Sequence, residues 1–355
     1  MYHVRMSSLG LGAIFCLLLV LLVVFRDVLL AAHIDETIQY FSSDAATYFS
    51  LYEDLYAQVS LDENPALFLI GSPILFMKLA DGNIFVIQAC NLVLMGLTLW
   101  IAFKCFATRR GRMTFMVGAL VFPYFLFGFL SLNKEIYATC SAILFASFLV
   151  RGKLIHLVFA LLLAACSRYY MLIAMLLLLL LIPRNGHPRY LWTVGLLLFI
   201  SLAAPTSKSL VPQYSSEGLL DVSGLTGLIF ATIIDHYGYA LVYPIKYLAL
   251  IPQRAYSFLI GSDRAGDGME AIVSVASFVV VVLAFRILLT KSSASPIVWR
   301  LIVAGFVAPI PIMWSEIMHW RYFSFVYFFF LFAVVLHFVE RRRLPSAQHI
   351  APLHA

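Results

Sequence analysis

Carboxylates are crowded into residues 26–64, which follow the first apolar run and hold eight of the chain's 18 acidic residues. They are Asp27, Asp35, Glu36, Asp44, Glu53, Asp54, Asp62 and Glu63, against one basic residue, Arg26. A positioned carboxylate can take a proton from a reacting hydroxyl. A long acidic segment on an apolar chain is therefore where we expect acid–base chemistry.

Tyrosines accompany one of these acids at a helical spacing. A tyrosine or an aspartate recurs at every fourth position, as Tyr40, Asp44, Tyr48, Tyr52 and Tyr56. If residues 44–57 are helical, these side chains form a slowly drifting stripe on one face. A carboxylate beside tyrosine rings suits a polar, ring-shaped ligand such as a sugar. The alternative is that the stripe packs a surface helix onto the bundle and Asp44 is only a helix-start acid.

Two polar elements interrupt the apolar runs further along the chain. Lys134 and Glu135 begin an apolar run, where they form either a self-neutralising interfacial pair or a site for a lipid phosphate. Arg168 lies in the sequence C-S-R-Y-Y, between two apolar runs. An arginine at membrane depth costs roughly 2.5–3.5 kcal/mol on insertion scales, so it usually faces a cavity and marks a substrate path.

Further cations come late in the chain. Arg321, in the sequence H-W-R-Y that starts at His319, either binds an anionic headgroup or diphosphate or belongs to an interfacial belt. Arg254 adds positive charge in the stretch 206–268.

Composition assigns the chain to membrane proteins. It is 63% hydrophobic and 12% charged, with a mean hydropathy of +0.95, whereas soluble domains carry about 25% charged residues. The net charge of +6 is concentrated in short loops between apolar runs, which favours membrane topology over nucleic-acid binding. The five cysteines show no C-x-x-C spacing, and no histidine cluster suggests a metal site. We expect no cofactor, and a single aspartate-coordinated divalent ion stays open as an alternative.

The apolar runs predict an all-α, polytopic transmembrane bundle of about ten spans (eight to twelve) with both termini in the cytoplasm. The candidate spans are residues 9–25, 84–106, 113–131, 135–150, 154–167, 169–182, 190–205, 270–289, 298–314 and 322–339. Arg151/Lys153 and Arg184/Arg189 flank residues 154–182, and both pairs should lie in the cytoplasm. Residues 154–182 must then form a hairpin of two short helices that breaks near Arg168. A single tilted span of about 29 residues is the rival interpretation.

A single transmembrane domain is expected over residues 1–344, followed by a cytoplasmic tail over 345–355. Within it, residues 26–82 form an outer acidic loop with short helices, including an interfacial or re-entrant one over 65–82. Residues 206–268 are outer or partly re-entrant.

In its order of motifs the chain resembles the multispanning GT-C glycosyltransferases that use polyprenyl-phosphate-linked sugars. A first span precedes an outer loop with D-x-x-x-Y (44–48); N-P-A-L-F-L-I-G-S-P (64–73), S-L-N-K-E (131–135), S-R-Y (167–169) and H-W-R-Y-F-S-F (319–325) follow. The match covers roughly residues 9–182 and 298–339. The chain departs from the family in its short length and in lacking a large soluble C-terminal domain.

The resemblance implies an inverting transferase that moves a sugar from a polyprenyl-phosphate or diphosphate donor to a glycan or lipid acceptor, at the outer face of a bacterial inner membrane. The catalytic base would be Asp44, with Asp35 or Glu36 in reserve. The substrate-binding residues would be Tyr40, Tyr48, Lys134, Glu135, Arg168, Tyr169, Arg254, His319, Arg321 and Tyr322.

Other functions stay open from the sequence. The chain also looks like Wzy-type polymerases and ligases of undecaprenyl-diphosphate-linked glycans, which rely on arginines. A transporter of lipid-linked glycans would need polar groups near the middle of the membrane in repeat-related helices. A membrane scaffold without activity is the fourth alternative.

Overall fold

A computed structural model describes residues 48, 52, 72–126, 128–130, 132, 134–184, 187–196, 199, 267–290, 294–312 and 320–340. These residues are helical, with turns and no strand among them. The α-helices are α1 (Ser72–Leu79), α2 (Ile84–Phe103), α3 (Arg109–Val121), α4 (Pro123–Leu126), α5 (Glu135–Arg151), α6 (Leu154–Ser167), α7 (Tyr169–Leu181), α8 (Asp267–Leu289), α9 (Pro296–Val307) and α10 (Trp320–Val334). Residues 190–196 are also helical, Gly128–Leu130 and Ile310–Ile312 are 3₁₀ turns, and α10 continues as a π-helical turn over Val335–Val339.

Side chains near the helix starts explain several of these bounds. The side chain of Asn83 accepts from the Val86 amide at the start of α2, and Thr108 accepts from the Gly111 amide at the start of α3. Ser295 caps α9 ahead of a proline at the first helical position. Each side-chain oxygen satisfies an amide that has no partner within the helix.

Two helices of the described part are long and apolar enough to cross a membrane, α2 and residues 272–289 of α8. Their mean hydropathies are 2.1 and 2.7. The described part also contains shorter apolar helices of 10–17 residues. The all-helical class is therefore confirmed for the described residues, and the larger number of spans stays a prediction.

The predicted hairpin is confirmed. Helix α6 ends at Ser167, Arg168 is extended (φ −156°, ψ 144°), and α7 begins at Tyr169. One straight helix would place residues 152 and 184 roughly 48 Å apart. A Cβ on Gly152 would instead lie 2.5 Å from the guanidinium of Arg184, so α7 returns to the end of the molecule where α6 begins.

The predicted spans over 113–131 and 298–314 are not single continuous helices in the described residues. Helix α3 ends at Val121 and Phe122 is extended, because the ring of Pro123 disfavours a helical conformation in the residue before it. A short helix and a 3₁₀ turn follow. Helix α9 ends at Val307, and the segment with Pro309 and Pro311 continues as a 3₁₀ turn, since proline has no amide proton to donate.

Helix α5 lies at the centre of the bundle. It packs against α2, α6, α9 and α10, and nearly all of its residues are buried. Small residues allow this close packing; the hydroxyl of Ser141, for example, donates to the carbonyl oxygen of Ala160 on α6 at 2.7 Å. Aromatic contacts join α10 to α3 and α4. The ring of Phe122, between α3 and α4, stacks on that of Tyr327 at 4.3 Å.

The two ends of the bundle differ in charge. Lys104, Arg112, Arg151, Lys153, Arg184 and Arg300 gather at the end that we call the basic end. The carboxylate of Glu340 lies there too, because it accepts from the Thr108 amide at 2.8 Å. The first residues of α5 and α10 and the break at Arg168 lie at the other end, which we call the Lys134 end. This arrangement agrees with the up-and-down order that the sequence predicts.

Candidate functional site

Three charged residues meet where helices begin or end at the Lys134 end. Lys134 precedes the first residue of α5, Glu135 is that first residue, and Arg168 lies between α6 and α7. Because α6 ends and α7 begins at Arg168, this residue forms the tip of the hairpin. Its guanidinium lies beside the start of α5. The sequence predicted all three as substrate-binding residues, and the structure brings them together.

Glu135 and Arg168 form an ion pair, with 2.9 Å between Oε1 and Nη2. The side chain of Glu135 is 7% exposed and that of Arg168 is 19% exposed. Removing one partner of a buried pair leaves an uncompensated charge and typically costs about 3–5 kcal/mol. Glu135 also lies in the first turn of α5, where the helix dipole favours a negative charge. The pair therefore fixes the direction of the guanidinium.

Aromatic rings lie beside both cations. Nζ of Lys134 is 5.3 Å from the ring centre of Tyr48, and Cζ of Arg168 is 5.9 Å from that of Tyr170. Such contacts contribute about 0.5–2 kcal/mol, more where water is excluded. The contact places Tyr48, one residue of the tyrosine-rich stretch, at the Lys134 end. We name Tyr48, Lys134, Glu135, Arg168 and Tyr170 the charged cluster.

Tyr52 packs onto apolar residues instead. Its ring lies against a small core of Met77, Ile84, Ile87 and Leu132. A Cβ on Gly82, whose φ is +72°, would come within 3.2 Å of this ring. For this member of the tyrosine stripe, the described contacts are those of a packing residue.

A layer of hydrogen bonds supports the charged cluster, and sequence reasoning missed it. The hydroxyl of Tyr137 on α5 donates to Oδ1 of Asn91 on α2 at 3.0 Å, and the Phe76 ring lies 5.3 Å from the Tyr137 ring. The hydroxyl of Ser72 donates to the carbonyl oxygen of Cys166, two residues before Arg168. These bonds tie α1, α2, α5 and the hairpin together beneath the cations.

Polar residues in the sequence of α2 indicate this hydrogen-bonded layer. Gln88, Asn91 and Thr98 follow one face of the otherwise apolar helix α2, and all three are buried. Polar side chains at helical spacing inside an apolar run indicate a face turned towards other helices.

Several predicted site residues are placed only in part or not at all. The backbones of Arg321 and Tyr322 are in the first turn of α10, and that of Tyr169 is in the first turn of α7, at the Lys134 end. The ring that contacts Arg168 belongs to Tyr170, which the sequence prediction did not select. The remaining predicted residues lie outside the described part of the chain: Asp35, Glu36, Tyr40, Asp44, Arg254 and His319.

The charged cluster can attract an anion and hold a polar ring. It presents an ammonium and a guanidinium beside one carboxylate and two aromatic rings. Fixed cations of this kind stabilise negative charge as it develops on a leaving group. Within the described residues, no group of three potential metal ligands occurs. Comparisons with protein-family models, curated proteins and solved structures gave no match.

Proposed function

We propose that this chain is a membrane glycosyltransferase that transfers a sugar from a polyprenyl-phosphate-linked donor to an acceptor hydroxyl. The observation that carries the proposal is the meeting of Lys134, Glu135 and Arg168 beside the ring of Tyr48. It combines fixed positive charge for a phosphate with an aromatic face for a sugar.

We further propose about ten spans, with the basic end in the cytoplasm and the Lys134 end outside. Arginines and lysines between spans favour the cytoplasmic side, and cations in or beside four of the connections between helices gather at the basic end. The reaction then takes place at the outer face of a bacterial inner membrane, where a lipid-linked donor is available without a nucleotide-sugar site.

In the proposed reaction, the acceptor hydroxyl attacks the anomeric carbon and the bond from that carbon to the phosphate oxygen breaks. Asp44 takes the hydroxyl proton, and the polyprenyl phosphate leaves with the bonding electrons. Arg168, Lys134 and Arg321 stabilise the charge on the departing phosphate, while Tyr40 and Tyr48 contact the sugar. Attack opposite to the leaving group inverts the anomeric configuration. No cofactor takes part.

The test uses the full chain in membranes that also contain the cell's own acceptors. A bacterial polyprenyl-phosphate-linked hexose is added, and release of polyprenyl phosphate is followed by mass spectrometry. We expect Asp44→Asn to abolish release at unchanged protein level, and Arg168→Lys to retain more activity than Arg168→Gln. Arg286→Gln, which removes an exposed arginine on α8, is the matched control and should act like the wild type. Full activity of Asp44→Asn would show that Asp44 is not the catalytic base. Full activity of Arg168→Gln would refute the proposed phosphate site.

A repeat-unit polymerase acting on polyprenyl diphosphate is the second candidate. The observation that favours it is that Arg168 is held in place by a buried acid, because such enzymes depend on arginines. Here Arg168→Gln should abolish chain extension while Asp44→Asn has a mild effect. The same two variants therefore separate the two candidates.

A further inference from the structure

Cations from three helix ends meet at the basic end, far from the charged cluster. Lys104 follows α2, Arg151 is the last residue of α5, and Lys153 precedes α6. Helix α2 packs against α5, which brings the end of α2 near the end of α5. In agreement with this geometry, partial desolvation and then the charges of Arg151 and Lys153 lower the pKa of Lys104. Arg184 adds a fourth charge, since its guanidinium lies over Gly152.

No carboxylate among the described residues forms an ion pair with Lys104, Arg151 or Lys153. The acid at this end, Glu340, accepts hydrogen bonds from Thr108 instead. Close cations without an acid repel each other, and this cost falls when an anion lies between them. The arrangement therefore favours a bound anionic group.

Apolar surface borders these cations directly. Leu154 and Ile155, which follow Lys153, are 66% and 54% exposed. Trp100 on α2 is 47% exposed, and Nζ of Lys104 lies 2.9 Å from its ring centre. Tryptophan and lysine at the end of an apolar helix mark the boundary between lipid and water, and α2 is long enough to span a membrane.

We propose that Lys104, Arg151, Lys153 and Arg184 bind the phosphate of an anionic phospholipid whose acyl chains lie along the exposed apolar faces of α2 and α6. The phosphate supplies a negative charge that no described carboxylate provides by an ion pair to Lys104, Arg151 or Lys153. The acyl chains explain why the cations border exposed apolar residues. Basic pockets between helices at the cytoplasmic face are suited to such headgroups. This site is independent of the proposed transferase activity.

The experiment titrates the full chain in a neutral detergent with phosphatidylglycerol and follows the thermal unfolding midpoint by fluorescence. Phosphatidylglycerol should raise the midpoint, while phosphatidylcholine and inorganic pyrophosphate should not. An equal rise with pyrophosphate would show a free-anion site, and an equal rise with phosphatidylcholine would show mere lipid solvation. Either result overturns the proposal.

The decisive variant is Lys104→Gln/Lys153→Gln, in which both replaced side chains are exposed. Each surface cation contributes about fivefold, so the apparent affinity for phosphatidylglycerol should fall roughly 30-fold. Lys104→Arg/Lys153→Arg keeps both charges and should bind like the wild type, which excludes a folding defect as the cause. Arg110→Gln/Arg286→Gln removes two exposed charges on α3 and α8 and should bind nearly as the wild type does. An equal loss in this control, or no loss in the glutamine variant, would show that the four residues form no specific site.

Discussion

Glu135 and Arg168 lie 33 residues apart in the chain, yet their side chains meet at 2.9 Å. Their pairing joins the first turn of α5 to the tip of the α6–α7 hairpin. The same contact therefore stabilises the bundle and directs the guanidinium. A single substitution at either position changes both properties, so stability and activity have to be measured separately.

We predict that Arg168→Gln lowers the free energy of unfolding by about 3 kcal/mol, because it removes the guanidinium that pairs with the buried Glu135 carboxylate. The exchange variant Glu135→Arg/Arg168→Glu restores an ion pair and should recover most of this loss. Unfolding in detergent, followed by circular dichroism, measures both values. In the transfer assay the exchange variant should stay inactive, because the guanidinium no longer projects from the hairpin tip. Recovery of both stability and transfer would show that the pair is only structural.

Much of the hairpin was predictable from the sequence, because its bounds follow from the apolar runs and the cost of placing Arg168 in lipid. Helix α6 has the predicted bounds, and α7 ends at Leu181, one residue before the prediction. The break at Pro123 was missed, since a run of apolar residues continues across it and hydropathy does not register the missing amide proton. Local backbone chemistry, not hydrophobicity, determines where α3 ends.

The composition of the charged cluster was only partly predictable. Lys134, Glu135 and Arg168 stood out because charges are rare in apolar runs. Their partners depend on distances across the fold. Tyr48 lies 86 positions before Lys134, and the contact of the Tyr170 ring with Arg168 depends on the orientation of α7. The Tyr137–Asn91 bond joins two helices whose register the sequence does not determine.

The turn between α5 and α6 depends on Gly152, whose φ of +67° is in the left-handed region. Gly152→Ala should lower the free energy of unfolding by about 1 kcal/mol for the backbone alone. Its Cβ would also lie 2.5 Å from the Arg184 guanidinium and displace that side chain. Gly195→Ala is the control, since its Cβ meets no atom within 4 Å. Helix propensity predicts a gain of up to about 1 kcal/mol for this control. Equal stability of the two variants would contradict the assigned role of Gly152.

Glu340 connects the π-helical turn that follows α10 to the start of α3. Its carboxylate accepts from the amide of Thr108 at 2.8 Å and from its hydroxyl at 2.5 Å. Since hydrogen bonds to a charged group contribute about 1.5–3 kcal/mol, we expect Glu340→Ala to lower the free energy of unfolding by about 2 kcal/mol. A double-mutant cycle with Thr108→Val should show that the two losses are not additive. Additive losses would mean that the two side chains do not interact.

Cys105 lies in the turn after α2, and burial raises the pKa of its thiol to about 11 despite the opposing effects of Ser147 and Arg151. Because maleimides react with the thiolate, a higher pKa means slower labelling at neutral pH. In a variant that keeps only this cysteine, the labelling rate of the folded chain should rise about tenfold per pH unit from pH 7 to 10. In the chain unfolded by detergent, the rate should level off near pH 9, since an ordinary thiol is then mostly ionised. Limited access to the thiol would lower the rate at every pH without changing this profile. A plateau near pH 9 in the folded protein would therefore show that the Cys105 thiol is not stabilised in its protonated form.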